Sequence, residues 1–296
     1  MAGVPTNRTN ITLPPEVSAE ILAKTQDASA IMSLARQIAL PGRGVTIPVI
    51  TGDPQAAWVG ETEAKAVANP SLETKIMEPY KLAVIVPFSN EFRRDAAALY
   101  DELVRRLPLA LAQKFDATVV GAVQAPGSNF DTFASATAQN ITNPNTYSSL
   151  VAADADIATN GGIMNGIALS PQGKSALLAA KDNDGRPLFI NNVSEGAVPV
   201  VLGAKTVLSK GAYVSGSPNT VGVAGDWSQA LYGTVEGIKI DYSADASLYV
   251  NASTTINLFQ QNMFAVRAEI ELGFRADTDC FNKLTVAASG GSSSAS

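Results

Sequence analysis

Six apolar side chains, Leu99, Leu103, Leu107, Leu111, Phe115 and Val119, recur at a strict four-residue interval, the spacing of one helix face. The pattern opens after Ser89, a suitable N-cap, and stops at Gly121, the residue type favoured for the left-handed turn past a helix end. At 1.5 Å per residue such a helix would span about 45 Å, long for one small domain. Pro108 lies inside it, where the missing N–H and the crowded preceding turn predict a kink near Arg105 to Leu107.

Two kinds of segment precede the helix. Residues 1–40 start polar, and LPPEVSAEILAKTQDASAIMSLARQI then offers Pro14-Pro15 as a helix start, with Ile21, Leu22, Ile31 and Leu34 as its apolar contacts. This reads as an arm lying across other surfaces. GVTIPVI (44–50) and KLAVIVPF (81–88) are rich in β-branched residues and bounded by Gly and Pro, so they read as strands at the base of a long hairpin. Its tip, AAWVGETEAKAVANPSLETK (56–75), carries one of the two tryptophans, Trp58, yet has no core-forming period. A hairpin of about ten residues per arm reaches roughly 30 Å, too far for its tip to fold back onto a small core. Trp58 is therefore expected to pack on an adjacent subunit, with Glu61 and Glu63 meeting arginines or lysines at its rim.

Beyond the helix, a Gly/Pro/Asn-rich break (126–146) leads to TYSSLVAADADIATNGG, a helix ended by Gly161, then to the short buried strand GIALS. Ser170-Pro171 supplies an N-cap and a first-turn proline for PQGKSALLAAKD, which makes this part an α/β alternation. Short strands follow at VPVVLG, KTVLS, TVGVAGDW and LYGTVEGIKIDYS. MFAVRAEIELGFRA (263–276) alternates Phe264, Val266, Ala268, Ile270 and Leu272 with polar partners and reads as a half-buried strand. AASGGSSSAS reads as a disordered tail.

The 296 residues suffice for about two domains. Only 16% are charged, against about 25% in an ordinary domain. Ser, Thr, Asn, Gly and Ala cover the surface instead, through compositional drift or because much of that surface is hidden against partners. A net charge of −6 and a pI near 4.8 argue against gripping nucleic acid through a basic field. The single cysteine, Cys280, excludes an intramolecular disulfide, and zero histidines exclude the usual zinc sets; a reducing compartment is expected. No apolar run approaches the roughly 18 residues of a membrane span, and the N-terminus lacks a signal-peptide core. The Asn-x-Ser/Thr matches at Asn7, Asn10, Asn140 and Asn251 therefore read as chance.

Each chemistry-bearing motif has a plainer structural reading. Ala168-x-x-x-x-Gly173-Lys174-Ser175 mimics a phosphate-binding loop, but alanine replaces the first glycine and Pro171 deletes an N–H donor, so a capped helix is expected. Asp182-Asn183-Asp184-Gly185 resembles part of a calcium loop, but Ala180 and Asn191 stand where carboxylates are needed, so a turn is expected. Glu61 and Glu63 read as a solvated or intersubunit salt-bridge set, and Cys280, with no histidine base, as a packed thiol. Arg93, Arg94, Arg105 and Arg106 form either a solvated helix face or intersubunit pairs with carboxylates such as Glu61, Glu63 or Glu102.

The parts run in the order arm, long hairpin, kinked helix, α/β segment, strand-rich segment and a returning strand ending near Leu284. With WVGE (58–61), NPSLETKIMEPYKLAVIVPFSNE (69–91), NGIALSPQGKSALLAAKDNDGRPLF (165–189), AGDWSQALYG (224–233) and NMFAVRAEIELGF (262–274), nearly the whole chain resembles the major capsid proteins of tailed bacteriophages, the Hong Kong 97 fold. The resemblance implies an α+β fold with an N-terminal arm (1–40), an extended β-hairpin loop (41–88), a peripheral domain of kinked spine helix (89–125) and returning strands (257–286), an axial α/β domain (126–256) and a tail (287–296). It implies a structural protein with no enzyme activity, cofactor or metal, whose copies form hexamers and pentamers that close into an icosahedral shell around packaged DNA. Implied partners are a portal, decoration proteins and a scaffolding protein, the last separate because the chain starts at the arm, unless a scaffolding segment was removed or never present. Lys65 and Lys75 lie in the loop, but no partner asparagine matches a cross-linking motif. Two other classes stay open: an encapsulin nanocompartment, which shares the fold but holds protein cargo, and a phosphate-loop nucleotide hydrolase.

Overall fold

The computed structural model describes residues 15–51, 71–91, 96–182, 184–189, 200–251 and 254–287. Pro15 opens α1 (Pro15–Ala28), and Ser29 caps α2 (Ala30–Leu34) by accepting the Met32 N–H. Ile21 and Ile31 are fully buried, so the arm is pinned by the contacts its sequence offers. A short strand, β1 (Arg36–Ala39), follows. Then β2 (Val45–Thr51) and β3 (Ser71–Met77) pair antiparallel from Val45↔Met77 to Thr51↔Ser71, and neither pairs with any other described strand.

This corrects the expected hairpin. β2 pairs with β3 rather than with 81–88, and β4 (Tyr80–Ser89) joins a different sheet. Its alternating residues explain the choice: Leu82, Val84, Val86 and Phe88 pack on the core while Lys81, Ala83 and Ile85 face out. β4 consumes the residues up to Ser89, so the long helix α3 (Ala96–Val120) starts later than expected and measures about 37 Å. Leu107, Leu111, Phe115 and Val119 are buried on its face. Gly121 ends it at φ +94, where a Cβ would come within 2.7 Å of the Ala134 side chain.

Two sheets divide the rest. β5 (Thr137–Asn140), α4 (Thr146–Thr159), β6 (Gly166–Leu169), α5 (Pro171–Leu178), β7 (Val200–Val201), β8 (Ala204–Leu208) and β9 (Asn219–Gly225) follow in turn. They lead to β10 (Ala230–Thr234), β11 (Lys239–Ser243), β12 (Ser247–Asn251), β13 (Thr254–Asn257), β14 (Met263–Ala276) and β15 (Phe281–Val286). One sheet is built on β14, which takes β4 along one edge and β11 and β10 in succession along the other, with β1 outermost and parallel to β10. The second runs β5-β15-β9-β6-β8-β7, with α4 and α5 against it. Each sheet covers its own apolar cluster, Phe115, Phe133, Phe264 and Phe274 in the first, and Leu150, Ile157, Ile167 and Leu284 in the second.

Two further boundaries shift. The expected division placed 257–286 with the long helix, but β15 lies in the second sheet, paired with β5 and β9. Its Phe281, Asn282, Leu284 and Thr285 are all buried, so both faces of β15 are covered: Phe281 packs against Phe133 and Trp227 of the first apolar cluster, and Leu284 lies in the second, where α4 and α5 also pack. Conversely β10 and β11, expected with 126–256, lie in the first sheet beside β14.

One buried carboxylate ties three segments together. Asp116, fully enclosed on α3, accepts the Ser29 hydroxyl (2.5 Å) and the Ala30 N–H (3.0 Å) at the start of α2, and also bonds the Ser209 side chain. Gly211 presses on the same helix, where a Cβ would lie 2.5 Å from the Gln113 carbonyl oxygen. Burial raises the Asp116 pKa to about 6, against the opposing pull of Ser209, Ser29, Ala30 and Ile31 donors. The folded value exceeds the unfolded one, so the proton stabilises the fold below about pH 4, and this stabilisation is lost as pH rises toward 6. Relative to Asp116→Asn, the wild-type unfolding free energy should fall by on the order of 3 kcal/mol between pH 4 and pH 7 and stay level above, as urea titrations of the subunit would show.

Candidate self-assembly surface

The β2–β3 ribbon is gripped at its root. Met77, fully buried, plugs a gap left by two glycines of the first sheet: a Cβ at Gly273 would lie 2.7 Å from Met77 Cγ, and one at Gly233 2.9 Å from its sulfur. Arg275 then clamps the ribbon from β14, donating to the Ile76 carbonyl (2.7 Å), to Asp131 (2.7 Å) and to Asn129 (2.7 Å). Lys75 Nζ donates to the Ala276 carbonyl (3.1 Å). The ribbon is therefore fixed at one end, and it leads into residues 52–70.

The expected contact residues divide accordingly. Trp58, Glu61, Glu63, Arg93 and Arg94 lie outside the described residues. Arg105 and Arg106 are exposed on α3, and Pro108 is buried within it, in a helix assigned unbroken from Ala96 to Val120. Met77, Gly233, Gly273 and Arg275 were not anticipated. The charged and glycine positions in the otherwise apolar run LGFRA were the available signal, since a strand places Gly273 and Arg275 on the face opposite Leu272 and Phe274.

On the outer face of the first sheet, Arg267 bonds Asp241 (2.6 Å) and Glu269 (3.3 Å), and Lys81 reaches Glu271 (3.6 Å). Such exposed pairs contribute about 1 kcal/mol or less each. Ile85 lies on this face at 48% exposure, but the most exposed large apolar groups among the described residues are elsewhere: Ile163 (76%) just before β6 of the second sheet, and Tyr249 (84%) and Phe259 (78%) on and next to the β12–β13 hairpin.

The chemical motifs are spent internally. Ser170 Oγ accepts the Gly173 N–H (3.1 Å), so the donor that a phosphate would need is capping α5. Asp182 Oδ1 accepts the Asp184 and Arg186 N–H groups, which closes a turn. Among the described residues no group of three or more His, Cys, Asp or Glu could hold a metal ion. Cys280 is buried, and burial, with Asp277, Asp226 and Asp279 nearby, pushes its thiol to about 11.

The phage capsid family model matches residues 9–280. The chain belongs to the phage capsid family. The "Probable major capsid protein gp17" of Mycobacterium phage D29 is 30% identical, covering 94% of this chain and 91% of the relative. A chain in the solved structure of Microbacterium phage Oxtober96 superposes with a TM-score of 0.71 at 19% identity, covering 97% of this chain and 95% of that one. A chain of the "Capsid of native GTA particle computed with C5 symmetry" gives 0.61 at 13% identity, over 97% and 96%. The α+β fold is thus that of phage capsid chains, and the protein is a structural major capsid protein of the virion rather than an enzyme. Its family assembles into shells, which makes the β2–β3 ribbon beyond its root and the exposed apolar groups candidate contacts between copies.

The root can be tested directly. Arg275→Ala removes three bonds at once and leaves Asp131 with its Ala276 N–H contact, so a loss of about 2 to 3 kcal/mol in urea unfolding is expected. Amide exchange should speed up most in 71–77.

Proposed function

We propose that copies of the chain associate as hexamers and pentamers and close an icosahedral shell around phage DNA. The observation that carries this is the β2–β3 ribbon: seven residues per strand, paired with no other described strand and, among the described residues, held at its root by Met77, Lys75 and Arg275. A lone two-stranded ribbon is marginal in water, so one this long needs a neighbour, and its sequence continues into Trp58, Glu61 and Glu63. We assign Trp58 to packing on an adjacent subunit, with its two glutamates and Arg93, Arg94, Arg105 and Arg106 serving intersubunit ion pairs. Residues 1–40 act as the arm, 41–77 as the extended loop, and α3 as a spine that bends at Pro108, whose missing N–H leaves the Val104 carbonyl without its helical donor. The net charge of −6 supports enclosing DNA without sequence-specific contacts. A separate scaffolding protein, a portal and decoration proteins complete the assembly in the host cytoplasm.

The purified chain should run as capsomers or shells in light scattering and negative-stain microscopy; a sharp monomer across salt and concentration overturns the reading. Trp58→Ala, or a short Gly/Ser turn in place of 55–70, should block shells while leaving circular dichroism and subunit melting nearly intact. Unfolding of the isolated subunit by either change would place Trp58 in an internal core. Pro108→Ala should yield folded subunits whose particles differ in curvature or yield, and unchanged particles would remove the role of the bend.

A further inference from the structure

Tyr249 is the most exposed large apolar side chain among the described residues. It sits on β12 at 84% exposure, while Leu248, one residue earlier, points to the other side of the strand and lines a groove. That groove, about 420 Å³, lies between the hairpin and the outer face of the first sheet, where Ile85, Ala246, Leu248 and Ala265 supply apolar walls and Asp241, Ser243 and Arg267 a polar rim. Strand alternation turns Tyr249 away from the groove its neighbour helps to form. Ring and groove are on one chain and cannot meet there.

We propose that Tyr249 of one copy inserts into the Ile85–Leu248 groove of a second copy of this chain. The match is chemical as well as spatial. A phenol is apolar along its ring and polar at its tip, and the groove offers aliphatic walls below a carboxylate, Asp241, that can accept the hydroxyl proton while Arg267 holds it at 2.6 Å. Ring and groove are different patches, so each copy can give the contact to one neighbour and receive it from another, as around a ring; a reciprocal two-fold pair is the other arrangement they allow. The proposal rests on the shell-forming reading and adds a specific contact to it, one distant in sequence from the ribbon tip.

The test is a cysteine pair in the full chain. Tyr249→Cys with Ile85→Cys, oxidised with diamide after assembly, should give a ladder of linked chains on a non-reducing denaturing gel. Ile85→Cys alone should give none, since Cys280 is buried. In parallel, Tyr249→Ala should raise the protein concentration needed for half assembly by roughly tenfold or more, with Tyr249→Phe in between because it keeps the ring and loses the hydroxyl. Particles that form but show neither the ladder nor the Tyr249→Ala effect overturn the contact alone, and would mean that Tyr249 faces a different partner. A chain that stays a sharp monomer across salt and concentration overturns the shell-forming reading and this contact with it.

Discussion

The backbone ladder of β14 sets the position of nearly everything in the first sheet. Its residues Met263–Leu272 pair with β4 while the opposite edge takes β11 and then β10, so one strand fixes the register of three. A strand alternates its faces, so this register also decides what is core. Phe264, Val266, Ala268, Ile270, Leu272 and Phe274 go inward, whereas Arg267, Glu269 and Glu271 go out; a slip of one residue would bury three charges. The outward face then changes use along its length. Its first half carries paired charges, and its second half, Gly273 and Arg275, grips Met77 and Ile76 of the ribbon.

The second sheet is attached through a different kind of contact. Asp116 sits where α3, the start of α2 and the Ser209–Gly211 segment converge, so the arm is held by a carboxylate acting as helix cap for α2 from outside the arm. A hydrophobic residue of the same size would leave the Ser29 and Ser209 hydroxyls and the Ala30 N–H competing for fewer acceptors. A buried acid is tolerable there because each lone pair it exposes has a donor. The arrangement also links the arm, α3 and the Ser209 loop through one carboxylate.

Long-period and capping signals were legible in the sequence. The four-residue spacing of Leu107, Leu111, Phe115 and Val119, the Gly121 stop, the Ser170 cap and the alternation of β14 all carry local physics that any tertiary setting must respect. Pairing partners were not. Nothing local distinguishes β3 from β4 as the mate of β2, because SLETKIM reads as polar until Met77 meets the gap at Gly233 and Gly273. The same limit moved β15 from one sheet to the other: its two-sided burial depends on α4 and α5 and on Phe133 and Trp227, all distant in the sequence. Of the expected contact residues, Trp58, Glu61, Glu63, Arg93 and Arg94 lie outside the described residues, and Arg105 and Arg106 are exposed on α3.

Low charge and exposed apolar ends fit together in one physical scheme. The most exposed described aromatics do not form a broad patch: Tyr249 lies on a two-stranded hairpin, Phe259 in the turn that follows it, and the less exposed Tyr147 apart from both on α4. A single side chain at such a tip removes at most about 250 Å² from water, well below the roughly 800 Å² per partner of a stable pairwise interface. Two copies meeting by chance would therefore separate again. In a closed ring every copy both gives and receives the contact, and no copy can leave without breaking two of them, so the same weak unit becomes stable through closure. A subunit with larger, flatter apolar faces would instead associate in any orientation. Confining the most exposed apolar groups to a few small tips, on a surface with only 16% charged residues, favours the few geometries that close.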